Sequence, residues 1–297
     1  MTTIASIHLI TLRKETILKT KYVFDPEWAL MKIRCFASNW REKAGLPNKW
    51  ILGMSGGKDS LITAAIFAKN FGADRVIGVM MPNSEQSDIK DAEEACSFLG
   101  IKSYVINIGE AFIGIVSRIA PCLNHGLIPA QANINLPPRL RMATLYYVAQ
   151  SLNGIVLNTT NLSERMLGYG TLYGDTVGSF APICDLTVTE LLKLGDFLGL
   201  PEHLVHKAPA DGLSGKTDED NLGVKYADVD NYIRLGPNSV SKDVIDIVEK
   251  RFNGSAFKRE IINLPQVTFW EYPNYVTGFG EGLEDMYTMI KEMRNNR

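Results

Sequence analysis

The chain has 297 residues and a mass of 33.0 kDa, and 45% of its residues are hydrophobic, which is enough to bury a substantial core. Fibrous and disordered architectures are therefore excluded. Its 31 Lys and Arg side chains nearly balance 33 Asp and Glu side chains, so the formal net charge is only -2. Such a chain has no general basic field for a nucleic-acid backbone, and no nucleic-acid partner is expected.

The amino-terminal segment is apolar over residues 4–10 but is interrupted by Arg13, Lys14 and Glu15. It has no small-residue cleavage pattern, which argues against a signal peptide. No run of about 18 apolar residues occurs, so no membrane span is predicted. We therefore expect a cytoplasmic protein without a membrane partner.

The cysteines are too widely spaced for a zinc site or a dense disulfide framework. We predict buried free thiols at Cys35, Cys96, Cys122 and Cys184. The histidines form no HExxH pattern. His203 and His206 lie beside Pro201 in a polar stretch, and we interpret them as surface or helix-end residues rather than metal ligands.

Short apolar runs alternate with helical patterns along the chain. Helices are predicted at residues 26–44, 60–71, 87–99, 111–119, 139–152, 187–199, 226–234 and 240–252. The apolar runs predict fully buried strands at residues 49–54, 76–81, 103–108 and 154–159. A Gly-rich loop after residue 160 and a polar loop through residue 224 complete the pattern. The alternation predicts an α/β fold, a parallel sheet with helices on both faces, followed by helical carboxyl-terminal additions.

The strongest chemical signal is the segment GMSGGKDS at residues 53–60, directly after a predicted strand and directly before a helix. Small residues let successive backbone N–H groups converge, and the helix adds the positive end of its dipole. The segment can therefore hold a phosphate anion. The candidate phosphate-binding residues are Gly53, Ser55, Gly56, Gly57, Lys58, Asp59 and Ser60.

Three other types of loop share features with this segment. A Walker A loop is excluded, because it needs four residues between its glycines, and only three separate Gly53 from Gly57. A hydrolase nucleophile elbow, G-x-S-x-G, fits the spacing and would make Ser55 a nucleophile, but no HGGG-type segment and no histidine near the carboxyl terminus accompany it. A purely structural turn would leave Lys58 and Asp59 unexplained.

The segment SGGKDS resembles the SGGxDS pyrophosphate loop of the N-type ATP pyrophosphatases. Three further segments are similar, in the same order, to motifs of the ammonia-dependent NAD synthetase family: NLPPRLRM at residues 135–142, NTTNLSE with GYGTLYGD at 158–164 and 168–175, and KAPADGL with TDEDNLG at 207–213 and 217–223. The resemblance covers residues 26–260 and implies the adenine nucleotide alpha hydrolase-like fold. Residues 1–25 and 261–297 are then terminal extensions.

The resemblance implies a two-step reaction. The carboxylate of nicotinate adenine dinucleotide attacks the α-phosphate of ATP and releases pyrophosphate, and ammonia then displaces AMP to leave the amide. Asp59 and Glu164 are implied to hold Mg²⁺, because carboxylates are the hard oxygen ligands that this ion prefers. The other implied contacts are Thr159 and Lys207 for ATP, Arg139 and Lys258 for the acid, and Asp175 for ammonia, with Asp175 and Lys207 as catalytic residues.

Four positions depart from the family pattern. Leu172 replaces a lysine, Ser179 an aspartate, Lys225 a threonine and Phe257 a histidine. Several of these positions hold the acid in the family, whereas the ATP and Mg²⁺ positions are largely kept. The same chemistry on a different carboxylate therefore remains an alternative, and a non-catalytic ATP-binding module is a more distant one.

The resemblance also bears on partners. Glutamine-dependent relatives carry an additional amino-terminal amidase domain, for which the 54 residues before Ser55 are too few. Free ammonia or a separate glutaminase is therefore expected to supply the nitrogen. A symmetric homodimer is implied, and the apolar side chains of the predicted helix at 26–44 are expected to need a partner surface: Trp28, Leu30, Met31, Ile33 and Phe36.

Overall fold

The structure is a computed structural model that describes residues 23–85, 88–123, 128–207 and 217–261. The predicted terminal extensions lie almost entirely outside these residues. Within them, a parallel sheet has the strand order β3-β2-β1-β4. The strands are β1 (Trp50–Gly53), β2 (Val76–Met80), β3 (Lys102–Val105) and β4 (Ile155–Val156).

Helices precede, connect and follow these strands. In chain order they are α1 (Pro26–Lys43), α2 (Lys58–Phe71), α3 (Ile89–Leu99), α4 (Gly109–Ile119), α5 (Ala130–Leu152), α6 (Leu162–Leu167), α7 (Val188–Phe197), α8 (Glu202–Val205), α9 (Asp218–Leu222), α10 (Tyr226–Leu235), α11 (Lys242–Gly254) and α12 (Ala256–Ile261). All the predicted helices are confirmed. With the exception of α5, their ends lie within about two residues of the prediction, the usual uncertainty of helix boundaries.

Both faces of the sheet are covered, because successive side chains of a strand point to opposite sides. Trp50 and Leu52 of β1 pack with Phe67 of α2 on one face. Ile51, between them, packs with Val148 of α5 on the other face. The predicted α/β architecture is therefore confirmed, and a separate apolar cluster that joins α6, α7, α9, α10 and α11 forms the predicted helical addition.

The strand order reverses beside β1. The chain passes from β1 to β2 and β3 on one side, then returns across the sheet to place β4 on the other side of β1. In open parallel sheets, ligands bind in the crevice at the carboxyl ends of the strands where the order reverses. The topology therefore indicates that a ligand site would be formed by the residues that follow β1 and β4.

Two predictions about elements are wrong. Strand β3 was expected to be fully buried, but it lies at the edge of the sheet and is largely exposed. Helix α5 was expected to begin at residue 139, after two prolines, but it begins at Ala130 and continues through Pro137 and Pro138. Pro137 is buried, and Pro138 packs closely against Gly174, so tertiary packing overrides the helix-breaking tendency of proline.

The apolar side chains of helix α1 that were expected to need a partner surface divide into two sets: Trp28 and Met31 are exposed, whereas the others lie in or against the chain's own core. Ala29, Leu30, Ile33 and Ala37 are buried in the chain's own core, and Phe36 packs against it, because this face lies on the sheet side of the helix. The expected burial of all cysteines is also wrong, since Cys96 and Cys184 are buried but Cys35 and Cys122 are exposed free thiols. None of the described helices is long and apolar enough to cross a membrane.

Candidate active site at the ends of β1 and β4

The loop between β1 and α2 is held tightly by its own backbone and hydroxyl groups. Met54 N donates to Val79 O at 2.9 Å, which continues the pairing of β1 with β2. Ser60 Oγ donates to Gly57 O at 2.9 Å and lies 3.3 Å from Ser55 Oγ. The first-turn N–H groups of α2 have no intrahelical acceptor, as at any helix start, so the loop can offer them to an anion.

Gly56 is required by the conformation of this loop. Its φ is +83°, and a Cβ there would lie 2.5 Å from the carbonyl oxygen of Asp88. The loop after β2 therefore packs directly against the phosphate-loop backbone. Only glycine fits this position without strain.

Lys58 is almost fully buried, and its Nζ lies 2.8 Å from Asp59 Oδ2. Burial by itself lowers the pKa of Lys58, but the carboxylates of Asp59, Glu164 and Asp218 raise it, and the net pKa lies above its usual value. Lys58 is therefore a fixed positive charge inside an acidic cluster. Its ion pair with Asp59 offsets part of the negative charge of that cluster.

Asn161 joins the two predicted metal ligands. It is fully buried, its Nδ2 donates to Asp59 Oδ1 at 3.2 Å, and its Oδ1 accepts from Glu164 N at 2.9 Å. Glu164 Oε2 in turn accepts from Asn161 N at 3.1 Å, which completes a capping box at the start of α6. One asparagine thus fixes carboxylates from two different strand ends.

The pKa of Glu164 is raised well above its usual value, first by burial and then by the negative charge of Asp59, while Lys58 opposes the shift. A divalent cation between the two carboxylates would relieve this crowding. No three His, Cys, Asp or Glu side chains of the described residues converge closely enough to hold a metal alone. Two carboxylates suit Mg²⁺, which usually completes its shell with water and substrate phosphates.

A second charged group consists of Asp175, on the loop between α6 and α7, and Lys258, on α12. Thr171 N donates to Asp175 Oδ1 at 2.5 Å, and Lys258 Nζ donates to the carbonyl oxygens of Gly168 and Gly170, each at 2.8 Å. Asp175 is exposed, yet the protein atoms packed around its carboxyl group raise its pKa, against the opposing effects of Thr171 N–H, Lys258 and Arg141. Lys258 therefore lies close enough to Asp175 for its charge to act on that carboxyl group.

The two arginines of the NLPPRLRM segment point in different directions. Arg139 is exposed, and its Nε donates to Leu172 O at 3.2 Å. Arg141 is less exposed, and its Nε donates to Met81 O at 3.0 Å. Burial lowers the pKa of Arg141, but the negative charge of Asp175 opposes this shift. Arg141 and Asp175 therefore share one electrostatic environment.

The remaining predicted ATP contacts lie on the rim. Thr159 follows β4 and is partly buried. Lys207 Nζ lies 3.0 Å from Asp88 Oδ2 and 2.5 Å from Asp91 Oδ2, at the amino-terminal end of α3. Because Asp88 also contacts the phosphate loop, Lys207 is held close to the loop; residues 208–213 of its motif lie outside the described residues.

The positions that depart from the family pattern are also located. Leu172 is partly buried, and its carbonyl receives the Arg139 hydrogen bond; Ser179 Oγ lies 3.4 Å from Tyr146 Oη. Phe257 is half exposed, and Lys225 is an exposed residue at the start of α10.

The hydrolase interpretation of Ser55 finds no support in the described residues. Their histidines, His203 and His206, pair with Glu94 and Asp196 on the surface, as the sequence suggested. Neither forms a triad with Ser55. The arrangement around Ser55 is instead that of a phosphate loop beside a carboxylate pair, which defines a nucleotide-binding α/β protein.

Known proteins resemble the chain along most of its length. A family model described as NAD synthase matches residues 30–262. The NH(3)-dependent NAD(+) synthetase of Carboxydothermus hydrogenoformans is 35% identical over 245 residues, which are 77% of this chain and 99% of that protein. The chain therefore belongs to the NAD synthase family, as the motifs predicted, and is an enzyme of the ligase class.

Solved structures agree with the fold. An NMN synthetase from Francisella tularensis superimposes with a TM-score of 0.72 and 28% identity, covering 85% of this chain and 100% of that one. An NH3-dependent NAD synthetase from Campylobacter jejuni has a TM-score of 0.65 at 24% identity, covering 82% of this chain and 99% of that one. The second likeness supports the fold alone.

The phosphate loop yields a prediction about stability. Gly56→Ala is expected to lower the free energy of unfolding by about 1–3 kcal/mol, because it forces a positive φ on alanine and a clash with a carbonyl oxygen. Gly57→Ala is the matched control, since Gly57 has a φ of -93° and its Cβ would meet only Ser55 Oγ at 3.3 Å. Urea unfolding measures both, and equal midpoints for the two variants would contradict the prediction.

Proposed function

We propose that the chain is an ATP-dependent, amide-forming ligase. It adenylates the carboxylate of nicotinate adenine dinucleotide and amidates it with ammonia, giving NAD, AMP and pyrophosphate. The observation that carries this proposal is the convergence of the phosphate loop with Asp59 and Glu164 at the reversal of strand order, in a member of the NAD synthase family. Relatives named NH(3)-dependent NAD(+) synthetase support it.

The ATP end of the reaction is assigned to the loop and the carboxylate pair. The helix-start N–H groups, Ser55 and Ser60 bind the phosphates that leave as pyrophosphate, and Lys207 and Thr159 contact the same nucleotide. Asp59 and Glu164 hold Mg²⁺, which offsets the negative charge of the phosphates when it is bound. This assignment agrees with the crowding of two carboxylates beside a single buried lysine.

The acid and ammonia are assigned to the second charged group. Arg139 and Lys258 supply positive charge for the anionic substrate, because arginine and lysine pair strongly with carboxylate and phosphate. Ammonium must lose a proton before its nitrogen can attack the acyl-adenylate. Asp175, whose pKa is raised by its surroundings, is suited to accept that proton and to orient the ammonia. The ammonia comes from solution or from a separate glutaminase.

A second candidate substrate is nicotinate mononucleotide. The Francisella protein with a TM-score of 0.72 is an NMN synthetase, and the acid that corresponds to NMN is this mononucleotide. The departures at Leu172, Ser179 and Phe257 fall at positions where the family holds the acid, so they favour considering a different nucleotide-linked carboxylate. The adenylation and amidation chemistry is the same for both acids.

The choice of acid is tested by measuring pyrophosphate release and amide formation with ATP, Mg²⁺ and ammonium over a panel of carboxylates. Nicotinate adenine dinucleotide is expected to be used, and Leu172→Lys with Phe257→His is expected to lower its KM. Each restored hydrogen-bond partner is worth about 1–3 kcal/mol, which corresponds to roughly 5- to 150-fold in affinity. Turnover of the mononucleotide alone would replace the first substrate by the second.

Two further measurements, of ATP binding and of fluorophosphonate labelling, test the ligase proposal against its alternatives. ATP binding without pyrophosphate release under any acid would identify a non-catalytic module. Labelling of Ser55 by a fluorophosphonate would instead support the hydrolase.

The carboxylate pair yields a second prediction. Asp59→Asn and Glu164→Gln keep the side-chain shape but remove a charge, and each is expected to lower pyrophosphate release by about 10²-fold or more. Asp196→Asn is the control, because Asp196 pairs with His206 on the surface. Full activity in both site variants would contradict the metal assignment.

We also propose that the chain forms a symmetric homodimer, through a surface on α4 and α5 rather than α1. Only Gly109 of α4 is buried, although the helix carries apolar residues along its length. Together α4, α5 and the turn between them expose the large apolar side chains Ile113, Ile119, Leu123, Ile134 and Tyr147. Exposed large apolar side chains on two helices that pack together are typical of a protein interface, and α5 also carries Arg139 of the site.

Ile113→Asp is expected to convert the dimer to a monomer, because it places a charge in the apolar contact. Phe98→Asp, which changes a similarly exposed residue on α3, is the control and should stay dimeric. Sedimentation velocity at micromolar concentration measures both. A monomeric wild type would contradict the proposal.

A further inference from the structure

Tyr226 is a feature of the site that the motifs did not single out as functional. It is the first residue of α10, is 3% exposed, and its hydroxyl has no hydrogen-bond partner among the described residues. Its backbone N–H is satisfied, since it donates to Glu219 Oε1 at 2.8 Å. A buried hydroxyl without a hydrogen-bond partner is unfavourable, so such a group usually pairs with a water, an ion or a ligand.

The position of Tyr226 indicates which ligand. Lys58 Nζ lies 5.8 Å from the centre of the Tyr226 ring and 2.8 Å from Asp59 Oδ2. The helix α10 packs against α6, which carries Glu164. The neighbouring phenol, Tyr169, already donates to Asp218 Oδ1 at 2.9 Å. The orphaned hydroxyl therefore borders the acidic cluster that surrounds Lys58.

The charges of this cluster match a divalent cation. Asp59, Glu164 and Asp218 all act electrostatically on Lys58, so the acidic side chains of the cluster outnumber its one ammonium group. Burial raises the pKa of Tyr226, and Glu164, Asp218 and Asp59 raise it further, so the hydroxyl keeps its proton at neutral pH. Mg²⁺ retains several waters when only two carboxylates bind it, and those waters need hydrogen-bond acceptors in the protein.

We propose that the Tyr226 hydroxyl accepts a hydrogen bond from a water in the shell of the Mg²⁺ held by Asp59 and Glu164. Tyr226 then acts on the metal through that water and is a positioning residue. The inference rests on the proposed function for the metal, but it does not depend on which acid is the substrate.

The test is Tyr226→Phe, which removes only the hydroxyl. Mn²⁺ binding is measured by electron paramagnetic resonance in the presence of α,β-methylene ATP, which cannot release pyrophosphate, and without any acid. Loss of one hydrogen bond is expected to weaken Mn²⁺ binding roughly 2- to 10-fold. The melting temperature of the ligand-free protein should stay unchanged or rise, because an unpaired polar group has been removed.

Tyr169→Phe is the matched control. It deletes a phenol hydroxyl that already donates to Asp218, so it should lower the melting temperature of the ligand-free protein. Equal Mn²⁺ affinity in wild type and Tyr226→Phe, no Mn²⁺ binding in wild type, or a lowered ligand-free melting temperature in Tyr226→Phe would each overturn the inference. A wild type that forms no NAD, together with a weakened Mn²⁺ site in Tyr226→Phe, would overturn only the acid assignment.

Discussion

The site depends on one electrostatic constraint, the close approach of the carboxylates of Asp59 and Glu164 from two different strand ends. Their repulsion raises the pKa of Glu164, and the fold must offset it. Lys58 does so in part as a buried counter-charge, and Asn161 does so by hydrogen-bonding to both residues. In the proposed function this arrangement is ready for a cation and an anionic phosphate before either binds, which is how preorganised electrostatics contribute to catalysis.

This constraint explains several features that are otherwise unrelated. The reversal of strand order sets β4 beside β1, and the capping box of α6 then fixes the direction of Glu164. The helical addition presents Tyr226 to the same cluster, so the carboxyl-terminal helices are part of the site. Asp175, the acid of the second charged group, lies on the loop that connects α6 with α7.

Much of the fold could be predicted because it follows from local patterns. Buried strands and amphipathic helices have periods that a sequence shows directly, and the phosphate loop combines small residues with a helix start. The exposure of β3 could not be predicted, because edge position is set by strand order rather than by the strand's own residues. The start of α5 was missed because the packing of Pro138 against Gly174 joins residues far apart in the chain.

Residues of the candidate site could be predicted where they belong to a sequence motif. They could not be predicted where their position depends on contacts between distant parts of the chain. Asn161 had a visible signal, the N-x-x-E capping pattern, whereas nothing local distinguishes the orphaned hydroxyl of Tyr226. The central claim is that a carboxylate attacks the α-phosphate of ATP. The most direct test supplies nicotinate adenine dinucleotide labelled with ¹⁸O in its carboxylate, and follows AMP by mass spectrometry. The account predicts one ¹⁸O atom in AMP for each amide formed, and amide formation with unlabelled AMP would contradict it.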